Sequence, residues 1–527
     1  MALRRLPRCL RSLCETQSMS CMPYAHRWTL VSLLGVFGCG GSSALPSATS
    51  DASSDMLPCG ALKPLADLPM LGPWKTHRAY YSPDRSWLLL QVRSDDGTEV
   101  EPLIRVDLPS GNATTIGSAL DFATALGSGG ALLFDGTGDS DDVSVFDGKQ
   151  LRRILGDRCK FFPTPDGTRL FAVGPCVGEE NGLEVMDVAT GTASIVDQSA
   201  TMATTWDLAV SPNGQWVAYK TAEDDLDNHT IAVANVTGVT YTIASPQGGY
   251  LLRFASDDLL VFQTGGQSYA GDIRGHVPGS GDTSFLIASD RYPGDFPYDG
   301  AGYQFSPDAT RVLAAGQIPT SSATSLAGAL YSIPLRGGDP LLLVRDWSLQ
   351  RFTTLFAFDS QGKYALYASY TGRDAYTGMD AYTVSAVDVQ GSKPRKLSNG
   401  QWFGIAPATS SVLLSDTDDN HRSRLRLTNL DTGLDRLSYT SSNGSIDNAT
   451  ALRGDQAVLF AEFADGELAR FMSVSHPQSV VLGQWDDSNG CEGCSGLRVE
   501  ADPTGCFTVV NSGLPSNSGT RLVLLPD

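Results

Sequence analysis

Apolar and polar positions in this chain come in short runs. From about residue 60, stretches of roughly four to eight apolar or aromatic residues alternate with tight-turn chemistry, and the arrangement repeats. A unit opens with an apolar strand, followed by a turn of the Ser-Pro-Asp-Gly type and a second apolar strand. A variable loop, a strand ending in Asp or Asn, and a turn with Gly complete it. The clearest copies read YYSPDRSWLLLQV from Tyr80, FFPTPDGTRLFAV from Phe161, LAVSPNGQWVAYK from Leu208, YQFSPDATRVLAA from Tyr303 and LFAFDSQGKYALYAS from Leu355. Weaker copies begin near Phe122, Leu251, Trp402, Ala449 and Leu497.

The pattern has a physical basis. Strands rich in Val, Leu, Ile, Tyr and Phe suit a buried or half-buried sheet. Pro presets φ at the second turn position, and Asp-Gly or Asn-Gly supplies the φ > 0 positions. No window beyond about ten residues sustains a helical period past the N-terminal leader, so the chain reads as all-β. Unit starts lie about 40 to 52 residues apart, the length of four short strands and their turns, or one propeller blade. A lone blade cannot bury both faces, whereas blades set radially bury one another's. Ten units fit one large ring, an eight-bladed ring with insertions, or two smaller propellers. No linker cuts the patterned region, so a single β-propeller of eight to ten four-stranded blades is expected over residues 61–527. The Ser-Pro-Asp-Gly turn before a short apolar strand resembles the repeats of TolB-like propellers, relatives of the WD-repeat. That resemblance implies the fold and is nearly silent on function.

The N-terminal region differs. The apolar run Trp28–Phe37 is too short for a permanent bilayer span but fits the core of a signal peptide, with Arg4, Arg5, Arg8, Arg11 and Arg27 before it. The tetrad Val36-Phe37-Gly38-Cys39 resembles the bacterial lipobox. The resemblance implies cleavage after residue 38 and a diacylglycerol on Cys39, although Phe37 departs from the usual small or Leu-like residue. Residues 39–60, rich in Ser, Ala and Asp, read as a tether. Gly40 after the cysteine implies, by the same resemblance, the outer membrane of the cell envelope.

Charge and cysteines follow from that division. The leader holds five Arg and one Glu, so its removal takes the net charge from −20 to −24. Such a surface repels nucleic acid and anionic lipid, leaving covalent lipid at Cys39 as the membrane link. Six cysteines remain: Cys59, Cys159, Cys176, Cys491, Cys494 and Cys506. An even count in an exported chain suggests disulfides. Cys159 and Cys176 bracket one strand-turn segment and are expected to pair. The pairing of the other four is open, and cystines from Cys59 to the C-terminal group would staple ring closure.

Four features carry candidate chemistry. Gly266-Gln267-Ser268-Tyr269-Ala270-Gly271 resembles a nucleophile elbow, but no helical pattern follows it, so a Gly-rich loop is expected. Asp-rich loops offer oxygen ligands for a structural Ca²⁺ at Asp135, Asp139 and Asp141, or at Asp416, Asp418 and Asn420; a solvated hairpin is the plainer reading. Cys491, Cys494 and Cys506 with His476 have zinc-compatible spacing, though the even cysteine count favours disulfides. Long loops over 264–302 and 369–382 present Tyr269, Tyr292, Tyr298, Tyr370, Tyr376 and Tyr382 as aromatic surface for a protein or glycan. No cofactor is expected beyond that Ca²⁺. The sequence therefore points to an exported, lipid-anchored propeller that binds rather than catalyses. The alternative is a propeller glycan hydrolase or lyase with carboxylates converging at the central channel.

Overall fold

The repeated Ser-Pro-x-Gly segment folds as a self-contained turn. Thr164 N–H donates to Arg169 O, Gly167 N–H to Thr164 O, and Arg169 N–H to Thr164 Oγ1 at 3.1 Å. The Ser211 and Ser306 turns repeat these bonds, with Trp216 N–H and Arg311 N–H reaching the two serine hydroxyls at 2.9 Å. Asp359 does the same with its carboxylate, accepting from Tyr364 N–H at 2.7 Å. Ser211 and Asp359 are fully buried, so the bond satisfies a side-chain acceptor that water cannot reach. The Gly position has φ near +67° in Gly214 and +68° in Gly362, a region that favours Gly because it has no Cβ. Burial alone would raise the Asp166 carboxyl, but hydrogen bonds from Thr164 and Thr168 outweigh it and hold the group below the usual carboxylate range.

This is a computed structural model, and the residues it describes lie between 63 and 525. Several connecting segments fall outside that description, among them 221–230, 265–271, 289–302, 374–379 and 486–497. The described residues form ten four-stranded antiparallel sheets, in the order of the ten sequence units. We number the sheets as blades, with strands A to D in each. Blades 1 to 9 cover 74–118, 122–158, 160–197, 209–243, 250–288, 303–347, 356–398, 401–440 and 445–485. Blade 10 takes strands A to C from 498–524 and its outer strand D from the other end of the chain, Lys63–Asp67.

The core lies between blades. Leu313 and Leu330 of blade 6 pack with Phe356, Phe358 and Tyr367 of blade 7, while Ala329 and Tyr331 on the opposite face of blade 6 pack with Val261 and Ile273 of blade 5. Strands B and C are thus buried on both faces, which explains why they read as continuous apolar runs rather than alternating ones. The same sharing links blade 8 to blade 9, and Leu525 closes the series against Leu452 and Leu459 of blade 9. Inner A strands of neighbouring blades touch at several steps, and strand A of blade 1 touches strands B and C of blade 10. The fold is a single β-propeller.

Candidate binding face

Antiparallel strand order sorts the connections. Every A–B and C–D link leaves one end of the ring, the turn end, and every B–C and D–A link leaves the opposite, loop end. The longest link at the turn end is 277–284, whereas the loop end carries 198–208, 221–230, 289–302 and 486–497.

The turn end is fastened blade to blade. Asn213 N–H donates to Asp257 at 2.7 Å, Ser410 to Asp359 at 2.6 Å, and Ser411 to Asp455 at 3.0 Å. Arg152 reaches the Val188 and Ala189 carbonyls, Arg395 the Leu430 carbonyl, and Lys363 pairs with Asp431.

At the loop end, the candidate residues fall differently from the sequence expectation. Tyr370 and Tyr382 are not in a loop. They lie in strands B (Tyr364–Arg373) and C (Asp380–Asp388) of blade 7, directly opposite in register, with ring centroids 5.8 Å apart in an edge-to-face arrangement. The alternating Tyr, Thr and Val of this segment suit a strand, and they extend the hairpin past the five-residue strands B and C of blade 4. Both rings are half-buried. They share the sheet face that carries Leu366, Val384 and Ala386 toward blade 8. Tyr269, Tyr292, Tyr298 and Tyr376 lie outside the described residues.

Asp416 also departs from the loop reading, since it belongs to strand B of blade 8 (Ser411–Thr417) and is buried. Arg424 Nε donates to its Oδ1 at 2.8 Å and Arg424 Nη2 to Oδ2 at 3.1 Å, while Arg426 Nη2 donates to Oδ2 at 2.8 Å. Arg426 also holds the Leu397 carbonyl of blade 7 at 2.7 Å, so the cluster bridges two blades. Two guanidinium groups occupy the approaches that a cation would need. Asp418, Asn420 and Asp139 lie outside the described residues. Asp135 ends strand B of blade 2 and Asp141 opens strand C, and the description stops short of their side chains. Among the described residues, no cluster of three or more His, Cys, Asp or Glu is placed to hold a metal.

The next groove, between blades 8 and 9, repeats the cluster at the equivalent strand position. Glu462 of blade 9 is buried, accepts from Arg470 Nε at 2.5 Å, and receives Tyr439 Oη of blade 8 at 2.9 Å on each carboxylate oxygen. Burial first, and Glu462 second, push the Tyr439 hydroxyl up to about 12. Between blades 3 and 4, Tyr219 Oη donates to Asp197 at 2.5 Å, and burial followed by that carboxylate raises the Tyr219 hydroxyl as well. These clamps were not singled out from the sequence. The signal of the two arginine clamps is one acidic residue after a run of strand B apolars (LLSD, LFAE), with Arg on the facing strand (SRLRL, ELARF).

The cysteines Cys39, Cys59, Cys159, Cys176, Cys491, Cys494 and Cys506 lie outside the described residues. His476 sits in the C–D link of blade 9, at the turn end, whereas the link holding Cys491 and Cys494 leaves and returns at the loop end.

His276, in strand C of blade 5 (Ile273–His276), is fully buried. Its Nδ1 lies 2.9 Å from Thr283 O; a carbonyl only accepts, so Nδ1 carries the proton. Nε2 has no partner among the described residues. Burial pushes the imidazole below 6.5, with the Thr283 contact opposing it. A lowered folded-state value means the unfolded chain binds more protons. The stabilisation is therefore present above the unfolded value near 6.5 and is lost as pH falls through the folded one. Urea unfolding should show a midpoint that drops between pH 7.5 and 5.5 in the wild type and drops less in His276→Gln. Equal pH dependence in both would show that His276 does not contribute.

Comparison with known proteins assigns no family. No protein-family model and no curated protein matches the chain. Solved structures do, at low identity. The tricorn protease is 10% identical with a TM-score of 0.33, the match covering 85% of this chain and 53% of that one. Dipeptidyl peptidase 4 of Porphyromonas gingivalis is 14% identical with a TM-score of 0.45, covering 84% of this chain and 65% of that one. TolB from Acinetobacter baumannii is 13% identical with a TM-score of 0.27, covering 60% and 76%. The chain thus spans about half the length of the first of these structures.

Proposed function

We propose that this protein is an exported propeller, tethered to the outer membrane through lipid on Cys39, whose loop end binds a protein or glycan partner without catalysis. The observation that supports this most is the Tyr370–Tyr382 pair, two half-buried rings on a hairpin that reaches past the strands of blade 4. Paired Tyr rings give large, amphipathic contact area at little conformational cost. The buried carboxylates nearest the loop end of blades 8 and 9 are each held by Arg, an arrangement suited to locking blades rather than to passing protons between a paired acid and base.

The test measures binding of the purified protein to an array of envelope glycans and to fractionated envelope proteins. The double variant Tyr370→Ala/Tyr382→Ala should weaken the captured interaction at least about tenfold, or ~1.4 kcal/mol, with unchanged thermal unfolding. Undiminished binding by the double variant overturns the assignment of the site. Turnover of any bound glycan or peptide overturns the non-catalytic reading.

A further inference from the structure

The direction of one strand implies how the ring stands on its membrane. Strand D of blade 10 is Lys63–Asp67, and it runs antiparallel to Gly519–Leu524, with Lys63 opposite Leu524 and Asp67 opposite Arg521. In every blade, strand D begins where the C–D link would arrive, at the turn end. Lys63 therefore stands at the turn end, on the outer edge of the ring. Whatever precedes Lys63 leaves from there, not from the loop end.

We infer that the turn end faces the bilayer and that the loop end, with Tyr370 and Tyr382, points away from it. This rests on the proposed lipid anchor at Cys39. Residues 40–62 lie between that cysteine and Lys63. Taken as the tether expected from the sequence, a segment of that length has a root-mean-square reach of roughly 26 Å. The five-residue strand D alone rises about 17 Å from the turn end. A typical tether conformation therefore brings the turn end to the membrane. Presenting the loop end there would require the coil to be stretched along the outside of the blade and then beyond it. At the turn end Arg336 pairs with Asp258 and Lys363 with Asp431, and the chain as a whole, at a net charge of −20, repels anionic headgroups. The tether, and not attraction to anionic headgroups, thus sets the orientation. A partner reaching Tyr370 and Tyr382 would come from the aqueous side of the anchoring leaflet.

The experiment uses the full lipidated protein on phosphatidylethanolamine/phosphatidylglycerol vesicles that contain a headgroup-linked quencher lipid. A click-attached fluorophore replaces either Lys393, exposed in the C–D link of blade 7, or Thr371, exposed near the other end of the same blade. Flotation of the wild type but not of Cys39→Ser establishes the anchor. Quenching at Lys393 should then exceed quenching at Thr371 several-fold. Flotation with equal quenching, or with stronger quenching at Thr371, overturns the orientation and leaves the anchor standing. Failure of the wild type to float, or flotation of Cys39→Ser to the same extent, overturns the anchor and the orientation with it.

Discussion

Deleting residues 63–67 should open the ring, and returning the same strand at the other terminus should close it again. The expected effect is large because these residues join the two ends of the chain. Without them, Gly519–Leu524 becomes an edge whose N–H and C=O groups, now paired with Lys63–Asp67, face solvent or another molecule. Strand D tolerates Pro64 because it is the outermost strand, where one missing donor costs no ladder bond to a further neighbour. The register supplies the rescue. Lys63 lies opposite Leu524, so a permuted chain with residues 63–67 appended after Asp527 would join them through a link no longer than the other C–D links. Hydrogen exchange read by mass spectrometry should show several-fold faster exchange over 519–524 and in blades 1 and 9 for the deletion. Protection should return in the permuted chain, together with the wild-type melting temperature. A deletion variant with wild-type protection and melting would show that the closing strand is dispensable.

The sequence revealed the repeat because turn chemistry and apolar runs are local. The bonds that close the Ser306-Pro307-Asp308 turn reach residues at most five positions away, so their meaning survives without a structure. Even the weak units at Phe122, Leu251, Trp402, Ala449 and Leu497 proved to be blades starting within a few residues of those positions. Two kinds of feature were hidden. The hairpin carrying Tyr370 and Tyr382 looked like a loop because Gly372 and the Asp-rich segment after it carry turn-like composition, whereas the strands bulge at Tyr370/Gly372 and continue. The charged clamps were hidden because each joins groups on different strands or blades, such as Tyr439 to Glu462 and Leu397 to Arg426. Each carboxylate meets its Arg across one B–C hairpin, eight residues on in both Asp416–Arg424 and Glu462–Arg470, whereas the partner from the next blade, Leu397 or Tyr439, is a property of blade stacking that no spacing along the chain announces.

Glu462→Ala should be the most destabilising single substitution in the loop-end clamps, costing about 3–5 kcal/mol. The Glu462 side chain is 1% exposed and that of Arg470 17%, so removing the carboxylate leaves a cation with little access to water. Arg470 would retain Ser479 Oγ at 3.1 Å and its place over the Tyr439 ring, 5.4 Å from the centroid, neither of which neutralises it. Tyr439 Oη would lose both of its acceptors on Glu462. Glu462→Gln should fall in between, because an amide oxygen still accepts from Tyr439 while the charge is gone. The double variant Glu462→Leu/Arg470→Met should recover most of the loss, since removing both partners leaves no buried charge unpaired. The contrast is Asp258→Ala, whose partner Arg336 is 58% exposed and which should cost less than about 1 kcal/mol. Guanidinium unfolding midpoints at constant slope measure all four. A shift for Glu462→Ala no larger than that for Asp258→Ala would mean that the clamp between blades 8 and 9 does not hold them together. It would also mean that the repeated acid–Arg arrangement at the loop end has another use.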